Sequence, residues 1–188
     1  MTFDELLGSR RSVRNYRQDP VSQELITEMI NESTLAPNAG NEQPWKFIVI
    51  NNQAVMKRIS DESKRNILAR IAANPDDYAS RYKTILEKEG YNVFYNAPCL
   101  VMILGPARLR NIYADCTLAA AYFMLAAASR GLGTCWVNLG RAIEDQEMLT
   151  ELGVPDDCDI IAPIALGYPT QIPPVPKRKP PEILKIID

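Results

Sequence analysis

Histidine is missing from this sequence of 188 residues, and its absence removes several kinds of chemistry at once. A Ser-His-Asp triad, a Cys-His pair and an HExxH zinc site each need an imidazole, so none of them can form here. Imidazole is also the side chain that most often moves protons near neutral pH. If the chain is an enzyme, it must therefore use other side chains or a bound cofactor.

Cysteines are few and isolated, and no two of them form a CxxC pair. A zinc or iron–sulfur site is therefore disfavoured, and we predict no metal site. The apolar neighbours of Cys99, Cys116, Cys135 and Cys158 favour buried, reduced thiols, as is typical of a cytoplasmic protein.

Strong net charge and long apolar runs are also lacking. The formal net charge is −2, so no overall basic field attracts nucleic acid or an anionic membrane. The run from Leu118 to Ala128 is shorter than the about 20 residues that a membrane span needs. The first residues have no basic start followed by an apolar stretch, so we expect no secretory signal. These features predict a cytoplasmic protein without nucleic-acid or membrane partners.

The length and the balance of apolar and charged residues suit one globular domain over residues 1–188. Helical spacing predicts a helix capped by Ser22 and a long, buried helix from Tyr113 to Arg130. Continuous apolar runs predict strands at residues 47–50, 99–104 and 160–166. The polar region 54–95 is expected to cover the core as a mobile flap, and the Pro-rich tail 170–181 to run extended.

Arginines are concentrated in the motif Arg10-Arg11-Ser12-Val13-Arg14. Guanidinium groups beside a hydroxyl suit a phosphate, because each planar fork can donate two parallel hydrogen bonds to its oxygens. The alternative is a solvated basic surface.

Two further segments are unusual. The stretch from Pro37 to Trp45 is rich in turn residues and in side-chain amides that could hydrogen-bond a planar heterocycle, or it is a simple structured turn. The stretch from Gly131 to Asn138 contains GxG but not GxGxxG, and it follows a helix, so it is not a Rossmann motif. A helix end followed by a core strand is the alternative there.

Together these segments resemble the nitroreductase family of flavoproteins. The resemblance is carried by RRSVR, APNAGNEQPWKFIVI, AAAYFMLAAASRGLGTCWV, IALGYP and the tail PKRKP, and it spans nearly the whole chain. It implies an α+β fold with a central antiparallel sheet surrounded by helices. It also implies an intertwined homodimer with FMN bound at the interface between the two chains.

The resemblance further implies which residues bind FMN. The arginine motif would contact the phosphate and ribityl chain, the loop after Pro37 would serve the partner's flavin ring, and the strand ending at Asn138 would pass the flavin edge. The tail would supply a second phosphate ligand. The implied set is Arg10, Arg11, Ser12, Arg14, Pro37, Asn38, Ala39, Asn41, Trp136, Val137, Asn138, Lys177 and Arg178.

The activity implied is transfer of hydride from NADH or NADPH, through flavin N5, to an electron-poor small molecule such as a nitroaromatic or a quinone. The flavin would carry the chemistry, which fits the missing histidine, so no catalytic side chain is predicted. Three alternatives stay open: a flavin dehydrogenase or dehalogenase of the same fold, a flavin-binding protein without turnover, and an interaction domain without a cofactor.

Overall fold

A four-stranded antiparallel sheet forms the centre of the protein. The computed structural model describes residues 1–187, so residue 188 of the predicted domain lies outside the described range. The strands are β1 (Lys46–Ile50), β2 (Cys99–Pro106), β3 (Gly133–Trp136) and β4 (Cys158–Gly167). They lie side by side in the order β1-β2-β4-β3. The predicted α+β fold with a central antiparallel sheet is therefore confirmed.

Helices cover both faces of this sheet. They are α1 (Phe3–Ser9), α2 (Gln23–Ser33), α3 (Gln53–Ala73), α4 (Lys83–Leu86), α5 (Ile112–Ser129) and α6 (Gln146–Glu151). As predicted, Ser22 caps α2, and its hydroxyl accepts a hydrogen bond from the backbone N–H of Leu25. Asp145 caps α6 in the same way, accepting from the N–H groups of Glu147 and Met148.

Strand β2 explains why the sheet needs helices on both sides. Its side chains alternate between two core clusters, so that Leu100 and Met102 face one and Val101 and Ile103 face the other. All four are fully buried. The apolar run 99–104 therefore reads as a strand covered on both faces, as predicted.

The core cluster that contains Val101 and Ile103 is built on α5, which also packs against α2. By length and composition α5 could cross a membrane, but residues such as Cys116, Ala120 and Phe123 are buried inside the protein. The prediction that this helix is buried is confirmed only for the side that carries Cys116, Ala120 and Phe123. On the other side Tyr113, Leu118 and Tyr122 are 39–49% exposed, which leaves an apolar surface open in a single chain.

The core cluster that contains Leu100 and Met102 is built largely on α3. Met56, Ile59, Ile67 and Ile71 recur at helical spacing along α3, and all four are buried. The expectation that the whole of region 54–95 forms a flap over the core is therefore wrong for α3. Its apolar stripe is narrow, and the many charged residues on its other faces hide it in the sequence.

Residues 170–187 of the C-terminal tail form neither helix nor strand. Its start is attached through the backbone N–H of Thr170, which donates to the carbonyl of Asn15 at 3.1 Å. Farther along, apolar side chains such as Ile172, Val175 and Leu184 are 58–89% exposed.

Candidate functional site

The arginine motif lies directly beside strand β3. Ser12 forms a parallel bridge with Thr134, and the N–H of Val13 donates to the carbonyl of Thr134 at 2.9 Å. This approach requires a glycine, because a Cβ on Gly133 would lie 2.7 Å from the side chain of Val13. The fold thus joins two segments that are more than 100 residues apart in the sequence.

Two guanidinium groups of the motif have no acidic partner within residues 1–187. Arg14 instead donates from Nε to the hydroxyl of Tyr95 at 3.2 Å, and its Cζ lies 5.6 Å from the centre of that ring. Burial raises the pKa of the Cys135 thiol, while the nearby guanidinium groups of Arg14 and Arg10 act to lower it. Both charges therefore lie near β3, at a half-buried Arg10 and an exposed Arg14.

Arg11 has a different environment. Its guanidinium donates to the carbonyls of Arg10, at 2.5 Å, and of Gly8, at the end of α1. Such contacts satisfy carbonyls that a helix end leaves free. The Nε of Arg11 is buried without a hydrogen-bond partner in the described structure, so one donor of this motif remains unused.

Strand β3 continues into a tight turn at Asn138–Arg141. Trp136 is half-buried, Val137 is buried, and Asn138 is exposed. The indole N–H of Trp136 is a second buried donor that has no acceptor in the part of the chain described. The turn packs tightly on the core, since a Cβ on Gly140 would lie 2.4 Å from the ring of Phe94.

A cavity of about 1160 Å³ lies between α3 with the following turn and the end of β3 with α6. Arg14 and the predicted residues Trp136, Val137 and Asn138 line it. Five of the eight tyrosines also line it: Tyr78, Tyr82, Tyr91, Tyr95 and Tyr113. Sequence analysis missed these tyrosines and Arg141; the density of tyrosine between residues 78 and 95 was the signal available.

The loop after Pro37 lies elsewhere. None of Pro37, Asn38, Ala39 and Asn41 lines the cavity. The loop is instead anchored to α5, where the buried carboxylate of Asp115 accepts a hydrogen bond from the N–H of Ala39 at 3.0 Å. Sequence analysis also missed Asp115, because it lies in an otherwise apolar helix far along the chain. A single chain therefore does not bring this loop to the cavity.

The basic residues of the tail are also remote from the cavity. Lys177 and Arg178 are exposed, and neither lines it. Of the segments proposed to bind one flavin, a single chain brings together the arginine motif and the end of β3 only.

The wall formed by the turn Asn138–Arg141 is held from α3. The carboxylate of Glu62, 3% exposed, accepts hydrogen bonds from the N–H groups of Glu144 at 3.3 Å and Asp145 at 3.2 Å. Asn66 donates to Glu62 at 2.7 Å and to the carbonyl of Ala142 at 2.9 Å. Burial alone raises the pKa of Glu62, but these hydrogen bonds and the neighbouring Arg65 outweigh it and hold the pKa below its usual value.

All four cysteines are free thiols. Cys99, Cys116 and Cys135 are buried, as predicted, and Cys158 is partly exposed. Burial raises the pKa of Cys99 and Cys116 to about 12, so these two thiols stay protonated at neutral pH. Residues 1–187 contain no group of three or more cysteine or acidic side chains placed to hold a metal ion.

Known proteins resemble this chain over nearly its whole length. It is 29% identical over 187 residues to a 5,6-dimethylbenzimidazole synthase of Rhodospirillum rubrum, a match that covers 93% of this chain and 85% of that protein. It is 29% identical to a 4-nitrobenzoate reductase of Pseudomonas putida, with 88% of this chain and 85% of that protein covered. A crystal structure of a nitroreductase with bound FMN from Bacteroides fragilis has a TM-score of 0.80 at 26% identity, with 97% and 96% covered.

The family model gives the same assignment. The model described as the nitroreductase family matches residues 7–168, which include the arginine motif, the loop after Pro37, the sheet and the turn after β3. Only the first residues and the extended tail lie outside the match. The chain belongs to the nitroreductase family.

Proposed function

We propose that this chain is an FMN-dependent oxidoreductase that passes reducing equivalents from NADH or NADPH to a small electron-poor acceptor. The observation that carries the proposal is a pair of guanidinium groups, those of Arg10 and Arg14, which have no acidic partner within residues 1–187 and lie beside the strand that leads into the large cavity. Membership of the nitroreductase family and the FMN in the similar Bacteroides fragilis structure support it.

The described residues fit the chemical groups of FMN. Its phosphate carries about two negative charges, which Arg10 and Arg14 would offset and the hydroxyl of Ser12 would hydrogen-bond. Trp136 lines the cavity, and its indole N–H, which has no acceptor within residues 1–187, suits a ligand rich in oxygen acceptors. Val137 and Asn138 line the cavity, where they could contact the flavin ring system.

The roles of the protein side chains follow from their positions. Bound FMN supplies the redox chemistry. The protein therefore needs no side chain with a pKa near neutral to act as an acid or a base. Arg10, Ser12 and Arg14 bind and orient the cofactor. Trp136, Val137 and Asn138 form one wall of the cavity and limit the access of water. Free, reduced thiols are consistent with a cytoplasmic location, which we include in the proposal.

The test of this function is an absorbance spectrum followed by turnover. Purified protein is expected to show flavin bands, to lose them when NADH or NADPH is added without oxygen, and to consume the nicotinamide steadily with nitrofurazone or menadione. A flavin that is bleached but never reoxidised by any acceptor would indicate a binding protein without turnover. Colourless protein that stays colourless after incubation with FMN would contradict the proposal.

We also propose that two chains share each flavin. The loop after Pro37 and the tail residues Lys177 and Arg178 lie outside the cavity of their own chain. The exposed apolar surface of α5 and the exposed apolar side chains of the tail are suited to burial against a second copy. In such a dimer each chain would offer its loop and tail to the partner's flavin.

A homodimer is expected in sedimentation velocity at micromolar concentration. Removal of residues 171–188 is expected to shift the protein toward monomer and to weaken FMN retention, since it removes Lys177, Arg178 and the exposed apolar side chains together. A truncation that ends after Lys179 keeps the basic residues and separates the two causes. A full-length monomer that still holds FMN would contradict the shared site.

A second candidate function is a flavin enzyme of the same fold acting on another metabolite. The similarity to a 5,6-dimethylbenzimidazole synthase favours this second function, because that protein is 29% identical to this chain and is not named a nitroreductase. This function would be favoured over the first if NADH or NADPH reduced the flavin much more slowly than the enzyme turns over with its true reductant.

A further inference from the structure

Arg141 is a partly exposed residue on the cavity wall, and within residues 1–187 its guanidinium has neutral partners only. Its Nη2 donates to the hydroxyl of Tyr113 at 3.2 Å, and its Nη1 donates to the side-chain oxygen of Asn138 at 3.3 Å. The Cζ lies 5.4 Å from the centre of the Tyr113 ring. None of the ion pairs formed within residues 1–187 includes Arg141.

This environment leaves the charge of Arg141 uncompensated. A guanidinium carries five N–H donors, and the two contacts above are to neutral oxygens. Partial burial removes water that would otherwise stabilise the charge. An anion with two acceptor oxygens would supply both the missing charge and the missing acceptors.

The other charged residues of the cavity narrow the region in which an anion can bind. Asp156 and Asp159 also line it, and the carboxylate of Asp159 accepts a hydrogen bond from the Tyr113 hydroxyl at 3.3 Å. Arg70 is paired with Asp77 at 2.8 Å and is therefore compensated. An anionic group is thus favoured on the side of Arg141 that faces Asn138, away from the two aspartates.

The shape of the ligand follows from the rest of the wall. Five tyrosines line the same cavity, and their rings suit contact with a planar aromatic molecule. A carboxylate attached to such a ring is planar and matches the fork of a guanidinium with two parallel hydrogen bonds. Arg141 also lies three residues after Asn138, in the turn that follows the proposed flavin-binding strand.

We infer that Arg141 is a specificity-determining residue that selects acceptors carrying a carboxylate on an aromatic ring. This inference rests on the proposed function, since it concerns the acceptor that the same cavity would admit. It goes further by naming the chemical class of that acceptor and the side chain that recognises it.

The test compares 4-nitrobenzoate with methyl 4-nitrobenzoate, which share the ring and the nitro group and differ in charge. Arg141→Gln is expected to lower kcat/KM for the acid about tenfold, the effect of one lost charge-assisted hydrogen bond, and to change that for the ester less than about twofold. Arg141→Lys is expected to recover part of the preference. Arg110→Gln is the matched control, because Arg110 is exposed and does not line the cavity.

Calorimetric binding of 4-nitrobenzoate to the oxidised, flavin-loaded protein gives a readout that does not depend on turnover. Arg141→Gln is expected to weaken this binding about tenfold as well. The inference would be overturned if both compounds were reduced and Arg141→Gln left the ratio of their kcat/KM values, acid to ester, unchanged. The proposed function would then still stand. Failure to reduce either compound would count against the proposed function, and the calorimetry would then still decide whether Arg141 binds a carboxylate.

Apart from FMN, whose phosphate is assigned to Arg10 and Arg14, the reductant is another source of an anion in this cavity. If Arg141→Gln raised the KM for NADPH and left both the NADH value and the acid-to-ester ratio unchanged, Arg141 would recognise the nucleotide phosphate. That result would also overturn the inference.

Discussion

Replacing Arg10 with alanine is expected to weaken FMN retention by about 10- to 100-fold, because the change removes a charge-assisted contact worth about 1.5–3 kcal/mol. Arg10 has no acidic partner in residues 1–187 to compete with a phosphate, and it is half-buried beside β3. The double change Arg10→Ala with Arg14→Ala is expected to lose FMN during gel filtration. The measurement is the dissociation constant of FMN, from quenching of its fluorescence on titration with the apoprotein.

Two further variants test whether the loss of FMN affinity is specific to the guanidinium of Arg10. Arg10→Lys keeps a charge but loses the planar fork, so it is expected to fall between wild type and Arg10→Ala. Arg108→Ala, at an exposed position outside the cavity lining, is expected to bind FMN like wild type. Unchanged FMN affinity in Arg10→Ala would remove Arg10 from the phosphate site, while equal loss in Arg108→Ala would point to a general effect of net charge.

Replacing Glu62 with alanine is expected to destabilise the apoprotein by about 1.5–3 kcal/mol, the range for hydrogen bonds to a charged group. The backbone N–H groups of Glu144 and Asp145 would lose their acceptor, and Asn66 would lose one of its two. Since these bonds hold the segment that follows the turn Asn138–Arg141, FMN affinity is expected to fall as well. Urea denaturation without FMN and with saturating FMN separates the two effects.

The contribution of Glu62 also has a defined pH dependence. The folded protein holds the pKa of Glu62 below its usual value, so its stabilising effect is complete above the unfolded pKa of about 4.3 and disappears as the pH falls through the folded pKa. The difference in stability between wild type and Glu62→Gln is therefore expected to be constant from neutral pH to about pH 5 and to shrink in stronger acid. A difference that grows in acid would contradict the hydrogen-bonding role.

Glu151→Gln is the matched control for this pair of experiments. Glu151 on α6 pairs with Arg58 on α3 at 2.8 Å, so it links the same two helices, but both side chains are about half exposed. Solvent screens such a pair, and a much smaller loss of stability is expected. If Glu62→Ala and Glu151→Gln were equally destabilising, the buried hydrogen bonds of Glu62 would not be the cause.

Local patterns were sufficient to predict most of the elements. The run 99–104 is apolar at every position, which is expected only of a strand covered on both faces, and β2 confirms it. Ser22 predicted the start of α2, because its hydroxyl satisfies an N–H group that the first turn leaves free. Each of these signals acts between residues close in sequence, so the sequence carries it directly.

The candidate site was predicted only in part, for a physical reason. RRSVR and the segment ending at Asn138 could be recognised as unusual, but their contact through Val13, Gly133 and Thr134 depends on how β3 is placed in the sheet. Tyr95, Tyr113 and Arg141 gave no motif, because they come from separate segments that meet only around the cavity. Glu62 and Asp115 were missed for a similar reason, since each binds backbone groups that are 76 or more positions away.

The sequence by itself thus determined most of the elements, the absence of imidazole chemistry and the motifs that resemble a flavoprotein family, since these depend on composition and short-range spacing. The tertiary structure alone decided which guanidinium groups have no carboxylate partner, which donors are buried without acceptors, and which motif a single chain leaves outside the cavity. Those properties depend on distances between residues remote in sequence. Such distances are set by the packing of helices on both faces of the sheet.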